Sequence, residues 1–154
     1  MLQHDQSEAL TEVFCSVLET LAFMFGDQVE KDELPPESDE NLAVKIRFKG
    51  PNAGELTLIA PADICLELAA NILGVDDSSE LADAKAHDAL KELVNVTCGQ
   101  LLTTIFGEEP VFDLTVPEVQ PIDGPGWREL LTNEESVAFN VEENLVMLHL
   151  TIDA

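Results

Sequence analysis

The chain has 154 residues, enough for one domain with a substantial hydrophobic core. Its formal charge of −24, from 31 acidic and 7 basic residues, argues against binding to nucleic acid or to anionic membranes, because both need clustered Lys and Arg. A hydrophobic content of 45% argues against disorder. The acidity predicts a self-repelling, soluble surface, with steering towards a basic partner as the alternative.

The chain shows no sign of export or membrane insertion. It starts MLQHDQSEAL, without a basic and then apolar leader, and no apolar run approaches the roughly 18 residues of a membrane span. Cys15, Cys65 and Cys98 are odd in number and lie in apolar helical patterns, which is typical of buried thiols in a reducing compartment. We therefore expect a cytoplasmic protein with a single domain over residues 1–154.

A broad apolar stripe predicts a first helix over residues 6–25, ended by the glycine that follows. Within it, Phe14, Met24 and Phe25 are predicted to belong to the core and not to a groove for a partner. The next stretch, residues 27–41, is rich in acids and holds two prolines, so it predicts a solvated loop.

A β-hairpin is predicted after this loop. Strands over residues 42–49 and 55–60 alternate apolar and polar side chains, and the glycines and proline of residues 50–54 predict the loop between them. The outer face of the first strand carries three of the seven basic residues, Lys45, Arg47 and Lys49.

Two helices are predicted next. Pro61 suits the first position of a helix that stops at Gly74. Residues 76–79 predict a cap for a long third helix that ends near Phe106, with Gly107 beyond it.

The last third of the chain predicts sheet. Its elements are a strand over 111–119 broken at Pro117, an irregular loop over 121–127, and strands over 136–141 and 145–152 joined by a turn at 142–144. The whole order predicts an α+β architecture of two layers, with a mostly antiparallel sheet packed against helices.

The third helix carries a polar stripe formed by Asp88, Glu92, Asn95 and Gly99. At 100° per residue these positions fall at about 0°, 40°, −20° and 20°, on one face. The apolar residues cluster on the opposite side, at roughly 140° to 260°; they are Ala86, Leu90, Leu93, Val94, Leu101 and Ile105. A carboxylate and a carboxamide one turn apart can hold a partner and a water molecule together. The alternative is an ordinary solvated helix face.

Other polar or aromatic residues are predicted to have structural roles. His87 lies beside the stripe and is expected to be a surface histidine and not a catalytic base. His149 falls in a strand and is expected to be structural. Trp127 is predicted to anchor a loop, with a docking surface as the alternative.

The pattern Asp88-x3-Glu92-x2-Asn95, with Pro117 after 21 intervening residues, resembles the signature of the CheC/CheX/FliY phosphatases of bacterial chemotaxis. The helix ending ETLAFMFG and the single Glu-x-x-Asn site resemble CheX-type members, and the element order agrees over nearly the whole chain. The family's proline follows at a slightly longer spacing, so Pro117 is carried over only as a structural residue. The resemblance implies a CheC-like fold.

The resemblance also implies hydrolysis of the phospho-aspartate of a CheY-like response regulator. In that mechanism Asn95 positions the attacking water, as the water-positioning Gln of GTPases does, and Glu92 pairs with the receiver's lysine. Asp88 and Gly99 are expected to contact the partner. The chain itself needs no cofactor or metal, since Mg²⁺ is expected on the receiver.

A non-catalytic receiver-binding or flagellar-switch-like adaptor is the alternative function, and a structural dimerisation domain is a third. The exposed strands permit a homodimer, as CheX-type relatives can form, and the sequence leaves the oligomeric state open.

Overall fold

The structure, a computed structural model, describes residues 4–29, 40–75, 83–122, 126 and 136–153. Its helices are α1 (His4–Val17), which continues as a π-helical turn over Leu18–Ala22, α2 (Ala62–Leu73) and α3 (Asp83–Phe106). Its strands are β1 (Gly26–Val29), β2 (Asn41–Lys49), β3 (Ala53–Pro61), β4 (Asp113–Leu114), β5 (Glu118–Ile122), β6 (Ser136–Val141) and β7 (Asn144–Ile152).

The seven strands form one sheet. Six of them follow the order β1-β6-β7-β3-β2-β4, and the seventh, β5, also pairs with β2. Every pairing is antiparallel. The β2–β3 hairpin pairs Val44 with Leu58 and Phe48 with Gly54. The predicted α+β fold with an antiparallel sheet is therefore confirmed.

The main core lies between one face of the sheet and the three helices. Alternate residues of the central strands face it, as Val44, Ile46 and Phe48 do in β2, while Lys45, Arg47 and Lys49 between them are exposed as predicted. Phe14 of α1 meets Phe139 of β6 edge to face, with 4.9 Å between the ring centroids. α3 packs against both α1 and α2 and also contacts β2 and β3. These contacts hold α3 in place, so the residues on its outward face have fixed positions relative to the core.

The end of the first helix differs from the sequence prediction. The π-helical turn over Leu18–Ala22 leads to Phe23, whose φ of 56° is left-handed, and the N–H of Phe23 donates to the carbonyl of Leu18. The helix therefore stops three residues before Phe25. Phe14 and Met24 are buried as predicted, but Phe25 is 71% exposed, so its assignment to the core was wrong.

The loops predicted around two strands were also partly wrong. Residues 27–29 lie in β1 and pair with β6, where Asp27 faces Asn140, so the predicted loop begins too early. β5 continues through Pro121 to Ile122, into the region predicted as irregular. Among the described strands β5 pairs only with β2, and an edge strand tolerates proline, which has no N–H to donate. The predicted cap at 76–79, Trp127 and residues 30–39 lie outside the described residues.

The predicted ends of α2 and α3 agree with the structure. α2 ends at Gly74 as predicted; Gly74 has a φ of 72° and donates its N–H to the carbonyls of Ala70 and Asn71. Pro61, predicted as the first helical residue, is instead the last residue of β3, and the helix begins one residue later at Ala62. α3 ends at Phe106, and Gly107 has a φ of 88°. Among the described residues, no helix combines the length and the apolar character that crossing a bilayer requires.

Candidate functional site

The polar stripe lies on the outward face of α3. Asp88, Glu92 and Asn95 are exposed, and Gly99 is partly exposed. On the opposite side Ala86, Leu90, Leu93, Val94 and Leu101 are buried and Ile105 is partly buried, as the helical period predicted. At 1.5 Å per residue, Glu92 and Asn95 are about 4.5 Å apart along the helix axis. The helix therefore presents a carboxylate and a carboxamide side by side.

The three polar side chains of the stripe make no polar contact with the described part of the chain. Within the described residues, the side chains of Asp88, Glu92 and Asn95 make no hydrogen bond, ion pair or ring contact. By contrast, Thr97 on the buried side donates its hydroxyl to the carbonyl of Leu93 at 2.7 Å. Stripe side chains that do not bind their own chain are available to an outside group.

No packing contact inside the described structure requires a glycine at position 99. A Cβ atom built at this position meets no heavy atom within 4 Å, although glycine in a helix interior costs about 1 kcal/mol relative to alanine. Gly50 and Gly54 differ, because a Cβ at either position would overlap a neighbouring strand or loop. Gly99 therefore leaves the outer surface of α3 without a projecting side chain at this position, and it relieves no contact inside the described structure.

The cysteines do not supply a nucleophile. Cys98 lies on the buried side of α3, and burial raises the pKa of its thiol to about 12, as burial also does for Cys65. The pKa of Cys15 is also raised, mainly by burial and then by Asp27 and Glu19. Thiols with raised pKa values remain protonated near neutral pH and are poor nucleophiles.

The histidines are placed as the sequence predicted. His87 is partly exposed on α3. His149 is buried in β7, where its Nδ1 lies 3.0 Å from the hydroxyl of Ser136. Over the described ranges, no three His, Cys, Asp or Glu residues are grouped closely enough to bind a metal ion. Pro117 lies in the segment that connects β4 to β5 and is buried, in agreement with a structural role.

One part of this surface was not predicted from the sequence. Beyond Gly99, a pocket of about 160 Å³ lies between α3 and the segment that follows it, and Phe112 and Leu114 form its far wall. The sequence feature that could have indicated this fold-back is the pair of aromatic residues Phe106 and Phe112, which lie on either side of Gly107.

Comparison with protein-family models assigns the chain to a family. Residues 42–141 match the family model described as "Chemotaxis phosphatase CheX", which is more than half of the chain. The chain belongs to the CheX family. α3 and its stripe lie wholly within the matched segment. A comparison with curated protein sequences gave no match.

Solved structures confirm the CheX-type fold. A CheX from Vibrio vulnificus superposes with a TM-score of 0.73 at 15% identity, covering 99% of each chain. A CheX from Desulfovibrio desulfuricans gives 0.70 at 13% identity, covering 96% of this chain and 99% of the other. The third is from a CheX–CheY–BeF3–Mg²⁺ complex of Borrelia burgdorferi, with a TM-score of 0.64, 17% identity and coverage of 99% and 100%. At these identities the likeness extends to the fold.

Proposed function

We propose that this CheX-family chain is a phosphatase that hydrolyses the phospho-aspartate of a CheY-like receiver domain, acting as a single domain over residues 1–154. The observation that carries the proposal is the outward face of α3, where Glu92 and Asn95 are exposed and unengaged by the described chain. The Borrelia CheX-type structure that shares this fold was solved with CheY, BeF3 and Mg²⁺, which supports the choice of partner.

The chemistry asks little of this chain beyond positioning. An acyl phosphate is a mixed anhydride and is already activated for hydrolysis, and Mg²⁺ and a lysine on the receiver would neutralise the phosphoryl charge. The missing component is a water held in line with the bond that breaks. The carboxamide of Asn95 can donate to and accept from that water, which makes it the proposed positioning group.

The acids of the stripe are proposed to dock the receiver. Glu92 would pair with the receiver's lysine, because a charge-assisted hydrogen bond is short and directional and would orient the helix over the phosphoryl group. Asp88 lies four residues earlier, about 6 Å along the axis, and would contact the rim of the receiver. We expect the activity in the cytoplasm.

The proposal is tested by phosphate release from a phosphorylated, Mg²⁺-loaded CheY-like receiver of the same organism. Wild-type protein is expected to accelerate release. Asn95→Ala is expected to lose about 10²-fold or more of that rate while still binding the receiver, because removal of one positioned polar group at a reacting centre has an effect of this size. Asn140→Ala, an exposed asparagine on β6, is the matched control and should keep the rate.

Glu92→Ala gives a second readout in the same assay. Loss of a hydrogen bond to a charged group costs about 1.5–3 kcal/mol, so receiver binding should weaken by about 10- to 150-fold. Unchanged affinity would show that Glu92 does not contact the receiver. Binding by wild type without any acceleration would refute hydrolysis and indicate a receiver-binding adaptor.

A further inference from the structure

The stripe on α3 continues past Asn95 into the pocket introduced above. α3 lines it with Gly99, Leu102 and Thr103, and the segment after the helix lines it with Pro110, Phe112 and Leu114. Gly99 is four residues beyond Asn95, which corresponds to about 6 Å along the helix axis. The pocket is therefore the next surface that a molecule lying along the stripe would meet.

The far wall of the pocket is held in place by contacts with β2 and its hairpin. The ring of Phe112 packs against Phe106 at a centroid distance of 5.3 Å and against Phe48 at 6.0 Å. A Cβ atom at Gly50 would come within 2.6 Å of the carbonyl oxygen of Val111, so the glycine lets this segment lie directly on the hairpin.

Backbone contacts fix the next part of the same segment. The N–H of Thr115 donates to the carbonyl of Arg47 at 3.0 Å, and the N–H of Arg47 donates to the hydroxyl of Thr115 at 3.0 Å. These two bonds tie the chain just beyond Leu114 to β2. The pocket is consequently preformed, which lowers the ordering cost when a partner binds.

The residues that flank the lining residues along this segment, called the rim here, combine apolar and acidic character. Val111, between two lining residues, is 80% exposed. Glu108, Glu109 and Asp113 lie in the same segment and are exposed. The apolar side chains among the lining residues, with acids in the flanking segment, suit an apolar side chain of a partner that has a lysine or arginine beside it.

We propose that this pocket is a docking subsite that receives an apolar side chain of the CheY-like receiver, with a neighbouring basic residue of the receiver on the acidic rim. The proposal rests on the proposed function, since the receiver is the molecule expected along the stripe. The proposed subsite also explains the glycine at position 99, because a side chain there would narrow the path from Asn95 to the pocket.

Two neighbouring threonines provide a matched test. Thr103 and Thr104 are both exposed, and each donates its hydroxyl to the carbonyl four residues earlier, at 3.1 and 2.8 Å. Thr103 lines the pocket, whereas Thr104 lines a separate groove between α3 and the start of α1. A methionine at either position suits a helix, but only at position 103 would it fill the pocket.

The measured quantities are the Kd for the BeF3- and Mg²⁺-loaded receiver and the KM for phosphate release. Thr103→Met is expected to raise both about tenfold, and Thr104→Met is expected to change neither. Val111→Ser, at the exposed rim, should raise the Kd in the same direction and covers the case in which Thr103→Met folds poorly. Thermal melting of each variant checks the fold.

The outcomes separate the two proposals. Wild-type Kd values in folded Thr103→Met and in Val111→Ser would overturn the docking subsite, even where Asn95→Ala abolishes hydrolysis. Weakened binding in those variants, with no hydrolysis by wild type, would support the subsite and refute the phosphatase function. Equal weakening by Thr103→Met and Thr104→Met would overturn the subsite, because it would report a general effect on the helix.

Discussion

Substitution of Gly99 by alanine is expected to stabilise the protein and to impair its function. Because a Cβ at this position meets nothing within 4 Å, the alanine introduces no clash inside the described structure. Removal of a mid-helix glycine should then raise the free energy of unfolding by about 1 kcal/mol. For a chain of this size, that corresponds to a rise in Tm of about 2–4 °C.

The same methyl group should weaken the complex with the receiver. An added group in a closely packed contact costs about 1–3 kcal/mol, which is roughly a 5- to 150-fold rise in Kd. The assay combines thermal unfolding with titration of the BeF3-loaded receiver. Gln100→Ala is the control, because Gln100 is the adjacent exposed residue of α3, points away from the stripe, and has a helix propensity close to that of alanine.

Two results would refute this reasoning. A lower Tm for Gly99→Ala would show that position 99 is not open in the folded chain. A higher Tm with unchanged receiver affinity would show that no part of the receiver approaches Gly99, and the glycine would then have no role in docking.

Two further predictions concern stability. Gly54→Ala should lower the free energy of unfolding in a urea titration by about 3 kcal/mol, because its Cβ would overlap the carbonyl oxygen of Thr151 and lie 2.6 Å from the ring of Phe48; an unchanged urea midpoint would contradict this packing. Burial raises the pKa of the Cys65 and Cys98 thiols from 9.0 to about 12. The native state then retains protons that the unfolded chain releases between pH 9 and 12, so stability should fall as the pH rises through this window. Cys98→Ala should flatten that fall, and an equally steep profile in the variant would contradict the assignment.

The features that sequence reasoning predicted well are those set by local periodicity. The outward placement of Asp88, Glu92 and Asn95 follows from 3.6 residues per turn and from the apolar residues opposite them. The β2–β3 hairpin follows from alternation and from the glycines between its strands. Both patterns are complete within about 20 residues of chain, so no distant contact is needed to interpret them.

Most of the features that sequence reasoning missed depend on contacts between distant segments. β1 is a strand because Gly26 meets Val141, and the acidic stretch around it gives no local sign of that pairing. The early end of the first helix depends on the π-helical turn, which apolar periodicity does not detect. The pocket wall at Phe112 depends on its packing against β2. The pairing of β1 and the pocket wall are therefore tertiary in origin, whereas the early end of the helix is a local irregularity of the backbone.

The position of β7 has a consequence for the order in which the sheet can assemble. β7 is the last described strand in chain order, yet it lies between β6 and β3, near the middle of the sheet. Its partner β3 lies about 90 residues earlier, as the pairing of Leu58 with Leu148 shows. While the chain is being synthesised from its N-terminus, the β2–β3 hairpin can form early, but β1 and β6 have no strand to join them to it. Closure of the core therefore waits for the emergence of residues 144–152 from the ribosome, and until then the apolar faces of β3 and the helices must be shielded by other means.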